Sequence, residues 1–248
     1  MRSLFRIGAC ALLAGCLTDV QTTLAPLPAG GTHVLFIGNS LTYVNDLPTT
    51  LSDMALTTGD TIRVAMVAFP NYALVDHIAE GTAATAIRLG GWKYVVLQQG
   101  PSSTQINRDS LIRVTRLFDT EIRKVGGTTA LFSVWPQLVN YSTFDRAIES
   151  YRLAAEAVNG LYLPAGAAWQ SALAATPSLP LYADDGLHPT PLGTYLAAAV
   201  MYERVTGKDA RLLTARAVVA GNVVGASVEV IRQLQQVAHD VNTRTTAP

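Results

Sequence analysis

Apolar residues along this chain fall into two alternating patterns. Short, nearly unbroken runs occur at Val34–Ile37, Ile62–Phe69, Tyr94–Leu97, Thr129–Val134 and Leu161–Leu163. They have the length of strands and are too short for buried helices. Between them lie stretches with helical spacing near 46–58, 73–88, 108–125 and 142–158, followed by two more near 191–206 and 227–241. Strands apolar on both faces, alternating with amphipathic helices, predict a parallel sheet covered on both sides. No repeat and no internal linker interrupts the pattern, so the 248 residues read as one α/β domain behind an N-terminal extension.

In an open parallel sheet, ligands collect beyond the carboxyl ends of the strands. That edge is where the pattern places Ser40, Asn71, Gln98, Gln99 and Trp135, each at or just past the end of a predicted strand. The first of these turns, within "THVLFIGNSLTY", passes from four apolar residues straight into Gly38-Asn39-Ser40. Such a turn fits an ordinary helix cap. It equally fits a tight turn that holds Ser40 out as a nucleophile.

Composition narrows the classes. Hydrophobic residues make up 49% and charged residues 15%, ample for a core and unlike a disordered chain. Basic and acidic residues balance at 18 each, with no basic run, which gives nucleic acid nothing to bind. The opening "MRSLFRIGACALLAGC" stands apart from the domain: Arg2 and Arg6 precede or begin an apolar stretch, Ile7–Leu13, too short to span a bilayer. Its close, Leu13-Ala14-Gly15-Cys16, resembles the lipobox of bacterial lipoproteins, which implies cleavage before Cys16 and a lipid on that cysteine. The expected organisation is a leader over 1–15, lipidated Cys16 with a tether to residue 31, and a folded domain over 32–248. The tether shows neither helical nor strand period. Export to the bacterial cell envelope follows, with the lipid as the only membrane hold. Cys10 lies in the leader, so the domain can form no internal disulfide.

A nucleophilic serine needs a base, and the chain has four histidines. His33 precedes the first strand, at the wrong edge of the sheet. His239 falls in the terminal amphipathic helix as a surface residue, and His77 falls in a helix where partial exposure is expected. His188 differs, because "ADDGLHPTP" places Asp185 three residues before it. A single turn brings that carboxylate to one ring nitrogen and leaves the other free to take a serine proton. There is no phosphate loop, no paired cysteine spacing and no histidine pair at ligand spacing, so neither metal nor cofactor is expected.

Taken together, "GNSLT" and "DGLHP" resemble the first and last blocks of the SGNH/GDSL hydrolase family. The resemblance covers most of residues 33–206. It implies a flavodoxin-like three-layer α/β/α sandwich with a five-stranded parallel sheet, and a Ser–His–Asp triad acting on acyl, acetyl-sugar or lipid esters. Carried over, Ser40 is the nucleophile, His188 the base, and Asp185 its orienting acid, favoured over Asp184 by the family spacing. Two middle blocks depart from the family. Asn71 stands where a glycine usually supplies an oxyanion N–H, and Ser102, two residues after Gly100, stands where an asparagine would. The side-chain oxyanion donor is then Gln98, Gln99 or Ser102, with Gln98 foremost because it ends the apolar run. Strand alternation sends the two glutamines to opposite faces, and Ser102 is short. Tyr43, Tyr72 and Trp135 are candidate stacking faces for a sugar. The expected activity is that of a serine esterase, with acetylated carbohydrate as the candidate substrate. Alternatives are a small-ester or lipid hydrolase, and a surface-anchored carbohydrate-binding protein with a relict triad.

Overall fold

The computed structural model describes residues 21–23 and 28–246; the leader and Cys16 lie outside these. The chain enters the sheet as β1 (Gln21–Thr23) and β2 (Thr32–Gly38), and α1 (Ser40–Tyr43) and α2 (Leu47–Leu56) lead on to β3 (Ile62–Ala68). Helices α3 (Leu74–Glu80) and α4 (Thr82–Arg88) precede β4 (Tyr94–Leu97). Next, α5 (Gln105–Lys124) precedes β5 (Thr128–Phe132), and α6 (Phe144–Glu156) precedes β6 (Leu161–Leu163). The rest is α7 (Ala165–Ala175), α8 (Pro191–Thr206), a hairpin of β7 (Val218–Val219) and β8 (Asn222–Val223), and α9 (Val228–Thr246).

The sheet order is β1-β3-β2-β4-β5-β6, with β2 to β6 parallel and β1 antiparallel on the outer edge of β3. The expected five-stranded parallel sheet is present, flanked by helices in three layers. Val34 to Ile37 are wholly buried, as strands sandwiched between helices must be. The chain moves from β2 outward to β3 and then returns past β2 to β4, so the strand order switches direction at β2. A crevice opens at such a point. Register sets Gly38 level with Ala68, and Ile37 level with Leu97, so Ser40, the residues after β3 and the two glutamines emerge side by side.

Three features differ from the sequence pattern. Gln21–Thr23, within the expected tether, form β1, pairing Gln21 with Ala68 and Thr23 with Met66; three residues are too few to show a period. The helix expected over 73–88 is two helices, broken at Gly81, whose φ of 93° suits glycine. The unanticipated α7, AGAAWQSALAA, buries Ala165, Gly166, Ala168, Trp169 and Ala172, and its alanines mask any polar–apolar alternation. Among the described residues, no helix is long and apolar enough to cross a membrane.

Candidate active site

The serine stands on the first turn of α1, directly after β2. Asn39 caps that helix in an extended conformation (φ −131°): its Oδ1 accepts the Leu41 N–H at 3.1 Å and its carbonyl accepts the Thr42 N–H at 2.8 Å. Beneath the turn lies the Gln98 carboxamide, wholly buried. Its Oε1 accepts from the Asn39 N–H at 2.9 Å and from the Thr42 hydroxyl at 2.7 Å. Its Nε2 donates to Asn39 Oδ1 at 2.9 Å and to the Gln99 carbonyl at 2.6 Å. Every hydrogen-bonding position of this amide is spent. Gln98 therefore braces the nucleophile turn and has no hydrogen left for an oxyanion, contrary to the expectation that put it foremost. The glycine at 38 has the same cause: a Cβ there would stand 2.4 Å from both Gln98 Oε1 and Thr42 Oγ1.

Two contacts tie this turn to the loop after β3. Asn39 Nδ2 donates to the Tyr72 carbonyl at 2.9 Å, and His77, on α3, donates from Nε2 to the Gly38 carbonyl at 2.8 Å. His77 is wholly buried beside Phe69 and Tyr72, not partly exposed as expected, because α3 turns Leu74 and His77 inward on one face. A carbonyl acceptor at Nε2 fixes the neutral tautomer, leaving Nδ1 bare and, among the described residues, unpartnered. Burial lowers the imidazole pKa below its ordinary value.

Gln99 turns the other way. Its Oε1 accepts the Leu74 N–H at 3.0 Å, and Nε2 donates one hydrogen to Ser102 Oγ at 2.8 Å, leaving its second hydrogen uncommitted among the described residues. The buried Tyr151 hydroxyl accepts the Gln99 N–H at 3.0 Å and donates to the Gln99 carbonyl at 2.6 Å, fixing this segment. Asn71 has φ 62° and Ser102 φ 57°. Asparagine is among the few residues that tolerate this left-handed conformation, which is how Asn71 takes a position where the family has glycine. Among the described residues, the backbone N–H groups of Ser40 and Asn71 have no acceptor.

Asp185 and His188, the candidate acid and base, sit in one tight loop. A bridge between Tyr182 and Pro189 closes it, and the Ala183 N–H donates to the His188 carbonyl at 2.8 Å. Asp185 Oδ1 accepts the N–H groups of Leu187 and His188, each at 2.9 Å, while Oδ2 lies 2.5 Å from His188 Nδ1. The hydrogen bond from His188, followed by those two N–H groups, holds the Asp185 pKa down at about 2. Asp184 is exposed and takes no part in these bonds.

Four hydrogen bonds clamp this loop to the rest of the edge. Trp135 Nε1 donates to the Leu187 carbonyl at 3.0 Å, the Tyr182 hydroxyl to the Pro136 carbonyl at 2.8 Å, and the Leu138 N–H to the Gly186 carbonyl at 2.8 Å. Asn45 Nδ2, five residues after Ser40, donates to the Pro189 carbonyl at 2.8 Å. Trp135 is buried and stacks flat on Trp169, with centroids 3.5 Å apart, so it is a strut for the loop and offers no face to a sugar. Tyr43 is partly buried in the core, and Tyr72 alone of the three aromatic candidates lines the cleft.

The cleft has a volume of about 570 Å³ and brings together Ser40, Asn71, Gln99, Ser102 and Leu187. Its walls add Asn107, Ser110, Gln137, Asn140 and Thr143, and no lining side chain is charged. Gln98 does not line it. Among the described residues no hydrogen bond joins Ser40 to His188; Leu187, adjoining His188, shares the cleft with Ser40. Sequence reasoning missed the brace made by Gln98, Tyr151 and His77, since each acts on a segment remote in the chain. The one cluster among the described residues able to hold a metal is Glu203, Asp209 and His239, where α8 meets α9, and Arg211 and the Ala210 N–H already engage its carboxylates.

This architecture is the fold of the SGNH/GDSL hydrolases. The chain is similar to a protein of the DUF4886 family from Bacteroides uniformis (TM-score 0.72, 18% identity, covering 85% of this chain and 94% of that one). It is also similar to a catalytic mutant of an acetylxylan esterase from Geobacillus stearothermophilus (TM-score 0.55, 18% identity, 72% and 95% covered). A lipase/acylhydrolase from Enterococcus faecalis aligns at TM-score 0.57 with 14% identity, covering 71% and 96%. No protein-family model matches the chain, and no curated protein sequence does.

Proposed function

We propose that the protein is a serine esterase that cleaves carboxylic esters through an acyl-enzyme. Ser40 Oγ attacks the ester carbonyl carbon while its proton passes to His188 Nε2. Asp185 holds the opposite ring nitrogen, which sets the tautomer and stabilises the imidazolium. The tetrahedral oxygen is received by the N–H groups of Ser40 and Asn71 and by the free Nε2 hydrogen of Gln99. His188 then protonates the departing alcohol. In the second half, His188 deprotonates a water that attacks the acyl carbon, and Ser40 leaves with its proton restored. The observation that carries this reading is the Asp185–His188 pair, hydrogen-bonded at 2.5 Å in a loop clamped beside the turn that bears Ser40.

The ester substrate is an O-acetylated carbohydrate. Support comes from a cleft whose lining mixes amides and hydroxyls with Tyr72, Val75, Leu187 and two prolines and carries no charge, chemistry that matches a neutral acetylated polyol, and from an acetylxylan esterase among the similar structures. The leader ending in Leu-Ala-Gly-Cys supports a lipid on Cys16 and an address in the cell envelope. A fluorophosphonate probe tests the mechanism. It should add one covalent mass at Ser40, and turnover should be higher on acetylated xylo-oligosaccharides than on nitrophenyl esters of longer acids. A folded protein that leaves Ser40 unmodified would sink the esterase reading.

A further inference from the structure

The uncharged cleft has an apolar collar. Ile106 is 81% and Val139 86% exposed, and Val75, Leu138 and Tyr141 are exposed as well. All five stand in the loop after β5 or on the first turns of α3 and α5, beyond the carboxyl ends of the strands. Val75 lines the cleft itself, and the others adjoin its lining residues Asn107, Gln137 and Asn140. A large apolar side chain left in water at such exposure needs a partner when several share one rim.

The path of the chain into the sheet says what that partner is. Gln21 pairs with Ala68, which is level with Gly38, so the chain enters β1 at the same edge of the sheet that carries Ser40. Two strand spacings, about 10 Å, separate β1 from the nucleophile strand. Cys16 lies five residues before Gln21, and five residues span at most about 18 Å. A domain of this length has a radius of gyration of about 17 Å and is about 45 Å across. A lipid on Cys16 cannot reach the opposite edge.

We propose that the carboxyl edge of the sheet, with its collar, rests on the phospholipid surface that holds the Cys16 lipid, so that the cleft opens toward the headgroups. The proposal rests on acylation of Cys16. The collar contains no basic cluster, so the contact is apolar and independent of anionic lipid.

Spin labels test it on the full-length, processed protein reconstituted in phosphatidylcholine vesicles, with the Cys16 lipid verified by mass. Once Cys10 is removed with the leader and Cys16 is acylated, no free thiol remains. Val139→Cys, Ile106→Cys and Leu89→Cys can therefore each carry one label. Leu89 is 63% exposed at the end of α4, on the far edge. Collision with a water-soluble nickel chelate should be at least threefold slower at 139 and 106 than at 89, with or without phosphatidylglycerol. Equal accessibility at the three sites overturns the proposal. So does shielding that vanishes on tenfold dilution of protein in lipid, which would mean a second copy covers the collar. A mature protein with no lipid on Cys16 overturns the anchor itself, while labelling of Ser40 stays as a separate readout of the esterase.

Discussion

Two adjacent glutamines hold different segments: Gln98 the turn before Ser40, and Gln99 the start of α3 and Ser102. Gln98→Ala strips partners from the Asn39 amide and the Thr42 hydroxyl, and an orphaned buried group costs about 1–3 kcal/mol. Melting temperature and turnover should fall together. Gln99→Glu keeps an acceptor for the Leu74 N–H but removes the proposed oxyanion donor. Its turnover should drop about 10²–10³-fold, read on protein whose fold is checked by circular dichroism because the new carboxylate is buried. The carboxylates divide as cleanly: Asp185→Asn should lower turnover by up to about 10⁴-fold, whereas Asp184→Asn, in steady-state assays, should stay within about twofold of wild type because it touches nothing in the loop. Ser40, Asp185 and His188 could be proposed from the sequence because each stands in a short local motif, and the Asp185–His188 contact lies within one such motif. The task of Gln98 was not, because strand alternation says that two neighbours diverge without saying which one meets the turn of another strand.

The segments that carry the proposed triad are held in place by their neighbours. Trp135 presses on Trp169 and donates to the Leu187 carbonyl, so Trp135→Phe removes that hydrogen bond while leaving most of the stack. Turnover should fall several-fold with KM unchanged, and amides 184–188 should exchange faster with deuterium. At this scale the sequence was most readable where burial is two-sided. The five parallel strands showed as apolar runs because both of their faces pack against helices, and the buried Thr129 is accommodated by its hydroxyl's bond to Asp119 of α5. Helix α7 escaped notice because alanine fills buried and exposed positions alike and leaves little polar–apolar contrast, and β1 because three residues hold no period. The break at Gly81 hides for a related reason: a glycine within an amphipathic run costs a helix little until a left-handed φ ends it.

The stability of the whole molecule should carry the mark of His77. Its folded-state pKa is lowered by burial, so below about pH 6.5 the unfolded chain takes a proton that the native protein refuses. Stability is unaffected above that pH and declines as pH falls through it, by at most about 1.4 kcal/mol per unit. His77→Gln should flatten this slope in urea midpoints measured from pH 7.5 to 5.5, and a slope as steep as that of the wild type would assign it to other groups. The remaining supports of the nucleophile turn are two amides, a threonine hydroxyl and backbone groups, none of which gains or loses a proton in the working range. Asp185, at about 2, is already ionised there. His77 is thus the one titratable support among them, and the turn answers to acid through that buried imidazole alone.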